Sequence, residues 1–376
     1  MPFDASLAAA TRRNASPSPR RVAAWLFGMC AMLLVMIALG GATRLTGSGL
    51  SIMEWAPLMG AVPPLSGAEW RRLYGLYQQI PQYQLVNHGF GLEGFKHIFW
   101  LEWAHRLWGR LIGVAFFAPL VWFAVRGSIG VRLGRRLGLL FLLGGLQGAV
   151  GWFMVASGFA AGSTAVSAYR LVVHLVLALL LYAAILWTAL SLWREGMPAC
   201  VVPGLRRLTG SVCIVVALTI VAGGFVAGLH AGLAYNTFPW MDGRLAPESY
   251  AQLRPFWLNL TENVAAVQFD HRLAATAAAL LTTATVVLGL LRGASGGLRL
   301  ALAALGAAVL AQYGLGVATL LWVVPPALGT AHQAMAAGVL TAALVALHLQ
   351  TARPPRSGTT CPPRSGMRCP PRSGSH

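Results

Sequence analysis

Charge is scarce in this chain, and acid scarcer still: 10% of its 376 residues are charged, with 10 Asp and Glu against 28 Lys and Arg. So little polar surface cannot cover a water-soluble globule of this size. With 57% hydrophobic residues and a mean hydropathy of +0.65, the natural solvent is a bilayer. Cysteine is sparse as well. The five cysteines form no CxxC, no CxxCH and no pair within an outer loop, which excludes a covalent c-type haem, a zinc site and a structural disulfide. The glycine-rich strips GGATRLTGSG, LLGGLQGAVG and QYGLG follow no strand, so they are not phosphate loops; they are small-residue faces that let helices approach closely. The net charge of +18 is not interleaved with aromatics on any soluble face, so no nucleic-acid partner is expected.

What the chain does have is length of apolar run. Segments long enough to cross about 30 Å of hydrocarbon, roughly 20 residues each, occur at about 22–41, 104–125, 137–157, 169–193, 209–229, 266–291, 298–323 and 328–350. The expectation is an all-α integral membrane protein with eight transmembrane helices. The first run is too long, and too poorly followed by a cleavage site, for a removed signal peptide. Residues 1–21 read as a disordered leader and 353–376 as a disordered low-complexity tail, in which PPRSG occurs three times beside Cys361 and Cys369. With the N-terminus inside, 18 of the 28 basic residues fall on the cytoplasmic side, so the positive-inside rule puts both termini in the cytoplasm. Two long outer loops, about 42–100 and 230–264, carry Trp, Pro, Gly and Tyr clusters suited to ordered caps on the membrane surface.

The chain also repeats itself. LGGATRLTGSGLS (39–51) aligns with AGGFVAGLHAGLA (222–234), LEWAHRL (101–107) with VQFDHRL (267–273), LQGAVG (146–151) with AQYGLG (311–316), and YRLVVHLVLA (169–178) with ALGTAHQAMA (327–336). This divides the chain into a four-helix half at 22–193 and another at 209–350, two pseudo-symmetric bundles in the same orientation, related by an axis along the membrane normal. Each half places one histidine near the start of its second helix and one in its fourth: His105 and His174, then His271 and His332. Equal depth on even helices is the geometry for two axial ligands on a planar haem. A lone transmembrane histidine more often bonds a neighbouring helix; four in register across a duplication point to two cofactor sites. His88, His97, His230, His348 and His376 lack a repeated partner and read as structural or solvated. Arg106 and Arg272, directly after their histidines, could pair with haem propionates or reach lipid phosphates. Glu102 stands where the second half has Gln268; read structurally, it pairs with Arg106 or Arg110.

These motifs, with NTFPWMDG in the second outer loop, resemble the haem A synthase family in its proteobacterial and mitochondrial branch, from about residue 22 to 350. The resemblance implies oxidation of the C8 methyl of haem O to a formyl group in two successive steps, giving haem A for terminal oxidases. It implies that His271 and His332 ligate a resident haem b. His105 and His174 would hold the substrate haem, with Glu102 as the catalytic carboxylate. It also implies a bacterial inner membrane with the haem sites toward the outer side, a haem O synthase and cytochrome oxidase assembly components as partners, and an external electron donor such as a ferredoxin, since nothing resembles a nicotinamide or flavin site. A dihaem b-type electron carrier needs the same four histidines, and a haem transporter or chaperone would make Glu102 dispensable.

Overall fold

The structure, a computed structural model, describes residues 19–57 and 59–351. Most of the leader and the PPRSG tail, with Cys361, Cys369 and His376, lie outside the described residues. Among the described residues eight helices are long and apolar enough to cross a membrane: α1 (Pro19–Leu45), α4 (Leu92–Val125), α5 (Val131–Ala156), α6 (Ala168–Trp193), α7 (Leu205–Gly228), α8 (Val264–Leu291), α9 (Gly296–Leu321) and α10 (Pro326–Leu349). Two shorter helices, α2 (Gly67–Tyr77) and α3 (Pro81–Leu85), lie in the first long loop. Large apolar side chains such as Val114, Leu142, Leu180, Leu280 and Leu310 are exposed around the outside of the bundle, the surface that lipid covers.

Several boundaries differ from the sequence expectation, with α5 starting at Val131 rather than near 137 and α7 at Leu205 rather than near 209, and two others have a clear local reason. Pro19 can begin α1 because the first helical N–H needs no intrahelical acceptor, so Arg20 and Arg21 join its first turn rather than the leader. More consequential is α4, which begins at Leu92 rather than near 104, so His105 does not open its helix. Glu93, Lys96 and His97 break the apolar run there. The helix persists because Phe95, Ile98 and Phe99 bury into a cap core with Leu50, Leu73, Tyr77, Ile80 and Val166. That cap is the folded first loop. Ser66 starts α2 by accepting from the Glu69 amide, and the Gln82 side chain donates to the Gly47 carbonyl at 2.9 Å.

Packing follows one pattern twice. α1 touches α4, α4 touches α5, α5 touches α6, and α6 returns to α1; α7, α8, α9 and α10 close in the same order. Across the middle, α1 meets α10, α6 meets α7, and α6 meets α10. Equivalent glycines allow those crossings. A Cβ at Gly41 would sit 2.8 Å from Gln333 on α10, and one at Gly224 would sit 3.1 Å from Leu175 and Val172 on α6. At the end of the seam where α1 and α7 finish, Arg44 of α1 donates to the last-turn carbonyls of Ala227 and Gly228 at 3.0 and 3.3 Å.

Candidate functional site

His105 lies on α4, His174 on α6, His271 on α8 and His332 on α10. Counted back from the C-terminal end of each helix, the four stand 17 to 20 residues along, about 26–30 Å at 1.5 Å per residue. The extra length of α4 is all at its N-terminal end, so it leaves His105 level with the others. Each ring then meets a glycine of the neighbouring helix. A Cβ at Gly151, Gly223 or Gly316 would stand 2.9, 2.9 or 2.8 Å from Cε1 of His174, His271 or His332, and one at Gly40 would stand 3.6 Å from Nε2 of His105. These glycines occupy matching repeat positions, Gly40 with Gly223 and Gly151 with Gly316. Their role is room for a ring, not backbone freedom.

The second-half pair is the more completely defined. The His271 and His332 rings are 6.4 Å apart between centroids and nearly perpendicular, at 89°. Two imidazoles bound end-on to one metal, each about 2 Å from it by the ring nitrogen, have centroids about 6.3 Å apart, so the spacing suits a metal between them. The Thr219 carbonyl lies 3.1 Å from His271 Nδ1; the proton it accepts there leaves the Nε2 lone pair free for a metal. His332 Nδ1 is buried without a partner. Among the described residues no three His, Cys, Asp or Glu side chains converge as they would around a bare ion. A histidine pair suits a metal that brings its own equatorial ligands, and the residues present therefore fit haem.

Beside each pair the chain forms a clasp; the Glu102–Arg106 ion pair was one the sequence offered, and the strap contacts around it were not. Glu102 is buried at 2% exposure. Its Oε2 accepts from the Ser51 amide (2.7 Å), the Ser51 hydroxyl (2.7 Å) and the Ile52 amide (2.9 Å), while Oε1 accepts from Arg106 at 2.5 and 3.1 Å. Arg106 also donates to the carbonyls of Ile52 (2.6 Å) and Glu54 (3.1 Å). In the second half Gln268 donates to the carbonyls of Ala231 (2.6 Å) and Ala234 (2.5 Å) and accepts from Arg272 (2.8 Å). Arg272 donates to Tyr235 (2.6 Å) and Thr237 (2.9 Å), the repeat counterparts of Ile52 and Glu54. Each clasp ties the strap after α1 or α7 to the histidine helix. The carboxylate holds its strap by accepting amide hydrogens, whereas the amide does so by donating to carbonyls. Both arginines are thus committed to strap carbonyls, although Arg272 keeps a buried Nε–H without a partner. Arg110 serves the strap too, through the carbonyls of Ala56 and Pro57.

The second strap is held by amides. Asn259 bonds Leu253 and Phe256, and Asn263 caps α8 while donating to the Ser249 carbonyl at 2.6 Å. Tyr250 donates to Asp270 at 2.9 Å; burial first, then that bond to an anion, pushes its phenol above the usual range. The histidines without repeat partners take other places: His88 and His97 are exposed, His230 is exposed at a φ of +54° after α7, and His348 is buried against Trp187, Ser191 and Arg194. Two glutamines escaped the sequence reading. Gln147 and Gln312, at equivalent places in LQGAVG and AQYGLG, donate to the main-chain carbonyls of His174 and His332 at 3.0 and 3.1 Å. Their shared register in the repeat was the available signal.

Comparison with known proteins agrees with this architecture. Residues 23–344 match the family of cytochrome oxidase assembly proteins, COX15-CtaA. The chain is 61% identical over 328 residues to the heme A synthase of Granulibacter bethesdensis, covering 87% of this chain and 86% of that one. It is 51% identical over 359 residues to the heme A synthase of Rhodospirillum centenum (94% and 93%), and 47% over 330 residues to that of Nitrosospira multiformis (87% and 92%). Similarity of this depth, spanning all eight helices, means that the chain belongs to the haem A synthase family of cytochrome oxidase assembly proteins.

Proposed function

We propose that this protein is a membrane oxidoreductase that converts haem O to haem A, oxidising the C8 methyl through an alcohol to a formyl group, a net loss of four electrons in two steps. The observation that carries the site assignment is the perpendicular His271–His332 pair at 6.4 Å, repeated in sequence register by His105 and His174. In this reading His271 and His332 hold a resident haem b, which supplies one-electron transfer when bound. His105 and His174 hold the substrate haem. The equal height of the four histidines favours this over a dihaem carrier, whose haems would lie near opposite faces.

Glu102 separates the two halves chemically. It is one turn before His105 on α4, so it shares that helix face. Five hydrogen bonds hold its carboxylate in place, and a fixed anion in a water-poor site lowers the barrier to positive charge developing on the methyl carbon, with no reorientation during reaction. Gln268 has the same reach without the charge. We further infer a bacterial inner-membrane location with both termini cytoplasmic and the haem sites toward the outer side. Support comes from Arg126, Arg132, Arg135, Arg136, Arg194, Arg206, Arg207, Arg292 and Arg299, which gather at the helix ends away from the histidines. Haem O would arrive from a haem O synthase, and electrons would pass through an external carrier, a ferredoxin in this reading.

The test is chromatography with mass spectrometry of haems from membranes expressing the chain together with a haem O synthase, wild type beside Glu102→Gln. Haem A in the wild type, with haem O or its alcohol accumulating in the variant, is the expected result. Haem b alone, despite available haem O and reductant, would instead identify a dihaem electron carrier.

A further inference from the structure

We propose that Gln147 makes the His105–His174 pair a site that releases its haem, and that the lack of an equivalent contact makes the His271–His332 pair a site that keeps its own. The inference rests on the reading that the first pair holds the haem being transformed. Gln147 on α5 donates to the His174 carbonyl at 3.0 Å, and because a carbonyl can only accept, the atom facing His174 is the amide nitrogen. That same nitrogen lies 3.3 Å from His174 Nε2. Its second hydrogen can therefore be donated to the ring. A neutral imidazole has one in-plane lone pair on that nitrogen, so a hydrogen bond from Gln147 and a bond to iron exclude each other.

The second half lacks this competition. Gln312, at the same repeat position, bonds the His332 carbonyl at 3.1 Å and makes no bond to the His332 ring. The opposing ligand is reinforced instead: the Thr219 carbonyl accepts from His271 Nδ1 at 3.1 Å, which raises the basicity of Nε2 toward a metal. One half thus offers its ligand nitrogen an alternative partner while the other strengthens its ligand. A transformed macrocycle must leave and a resident one must stay, and the two glutamines differ in the sense those tasks require. Gln147 is a positioning residue here, acting through His174.

The test is loss of haem to excess apomyoglobin from purified full-length protein made with a haem O synthase. Retained haem b and retained haem O plus haem A are followed separately by chromatography. Gln147→Met should slow departure of haem O and haem A about five-fold, the factor one neutral hydrogen bond is worth, and leave retention of haem b unchanged. Gln312→Met removes the same main-chain bond and should change neither rate. Equal effects of the two variants, or faster loss from Gln147→Met, would overturn the proposal. Should Gln147→Met not insert, Gln147→Asn, one methylene short of the ring, carries the same expectation, and unslowed release from it counts equally against the idea. A wild type that binds haem b but neither haem O nor haem A would overturn the underlying reading of the site rather than the role of the glutamine.

Discussion

The clasps at Glu102 and Gln268 are alike in position and opposite in hydrogen-bond polarity, so exchanging their residues should damage each half separately. In Glu102→Gln, keeping the side-chain oxygen on the Ser51 and Ile52 amides turns the new NH2 toward Arg106, where two charge-assisted bonds become donor facing donor. Turning the amide round instead sets it against two backbone amides. Each lost charge-assisted bond is worth about 1.5–3 kcal/mol. Arg106 retains the Ile52 and Glu54 carbonyls and some water, with its side chain 19% exposed, so the net cost should be about 2–4 kcal/mol. Gln268→Glu places an anion against the Ala231 and Ala234 carbonyls and regains only a pair with Arg272; a similar about 2–4 kcal/mol is expected. Denaturant unfolding in detergent, followed by reaction of the buried Cys30 thiol, measures both. Either variant unfolding within about 0.5 kcal/mol of wild type would refute the clasp argument. The same measurement interprets the haem assay: a Glu102→Gln protein of wild-type stability that accumulates haem O would assign the carboxylate to chemistry, not to holding the strap.

Other consequences are equally direct. Gly228→Ala would bring a Cβ to 2.6 Å from Cβ and 2.8 Å from Cα of Ala168, backbone that cannot step aside, so the α6–α7 seam should lose about 1–3 kcal/mol in the same unfolding assay. Gly316→Ala must push the His332 ring from its position, and His332→Ala removes it; haem b per protein, read as the pyridine haemochrome, should fall partly in the first and to background in the second. In the cap, a hydrogen bond from Arg72 holds the Glu54 carboxyl below its usual range despite partial burial. A depressed carboxylate stabilises the fold above its ordinary pKa and stops doing so as pH falls through the lowered value. For this half-exposed pair the loss is at most about 1 kcal/mol, appearing below about pH 4.3 as faster amide exchange across residues 54–77 once corrected for intrinsic rates.

The sequence by itself determined the class, the eight spans and the four histidines. Apolar length and the scarcity of charge depend on the solvent alone, and a duplication leaves its register in the string whatever the packing. It misjudged where a polar pattern was overruled by burial: Glu93, Lys96 and His97 argued against a helix that Phe95, Ile98 and Phe99 secure by packing into the cap. Only the tertiary structure decided what the repeated polar residues hold. Hydropathy carries no information about which carbonyl a guanidinium meets, so the bonds from Arg106 and Arg272 to the straps were not legible in the sequence. The same is true of Gln147 and Gln312, identical in the repeat yet different in what they reach. The pairing of His271 with His332 across 6.4 Å required four helices to close on one another, because residues 61 apart in the chain come together only through packing.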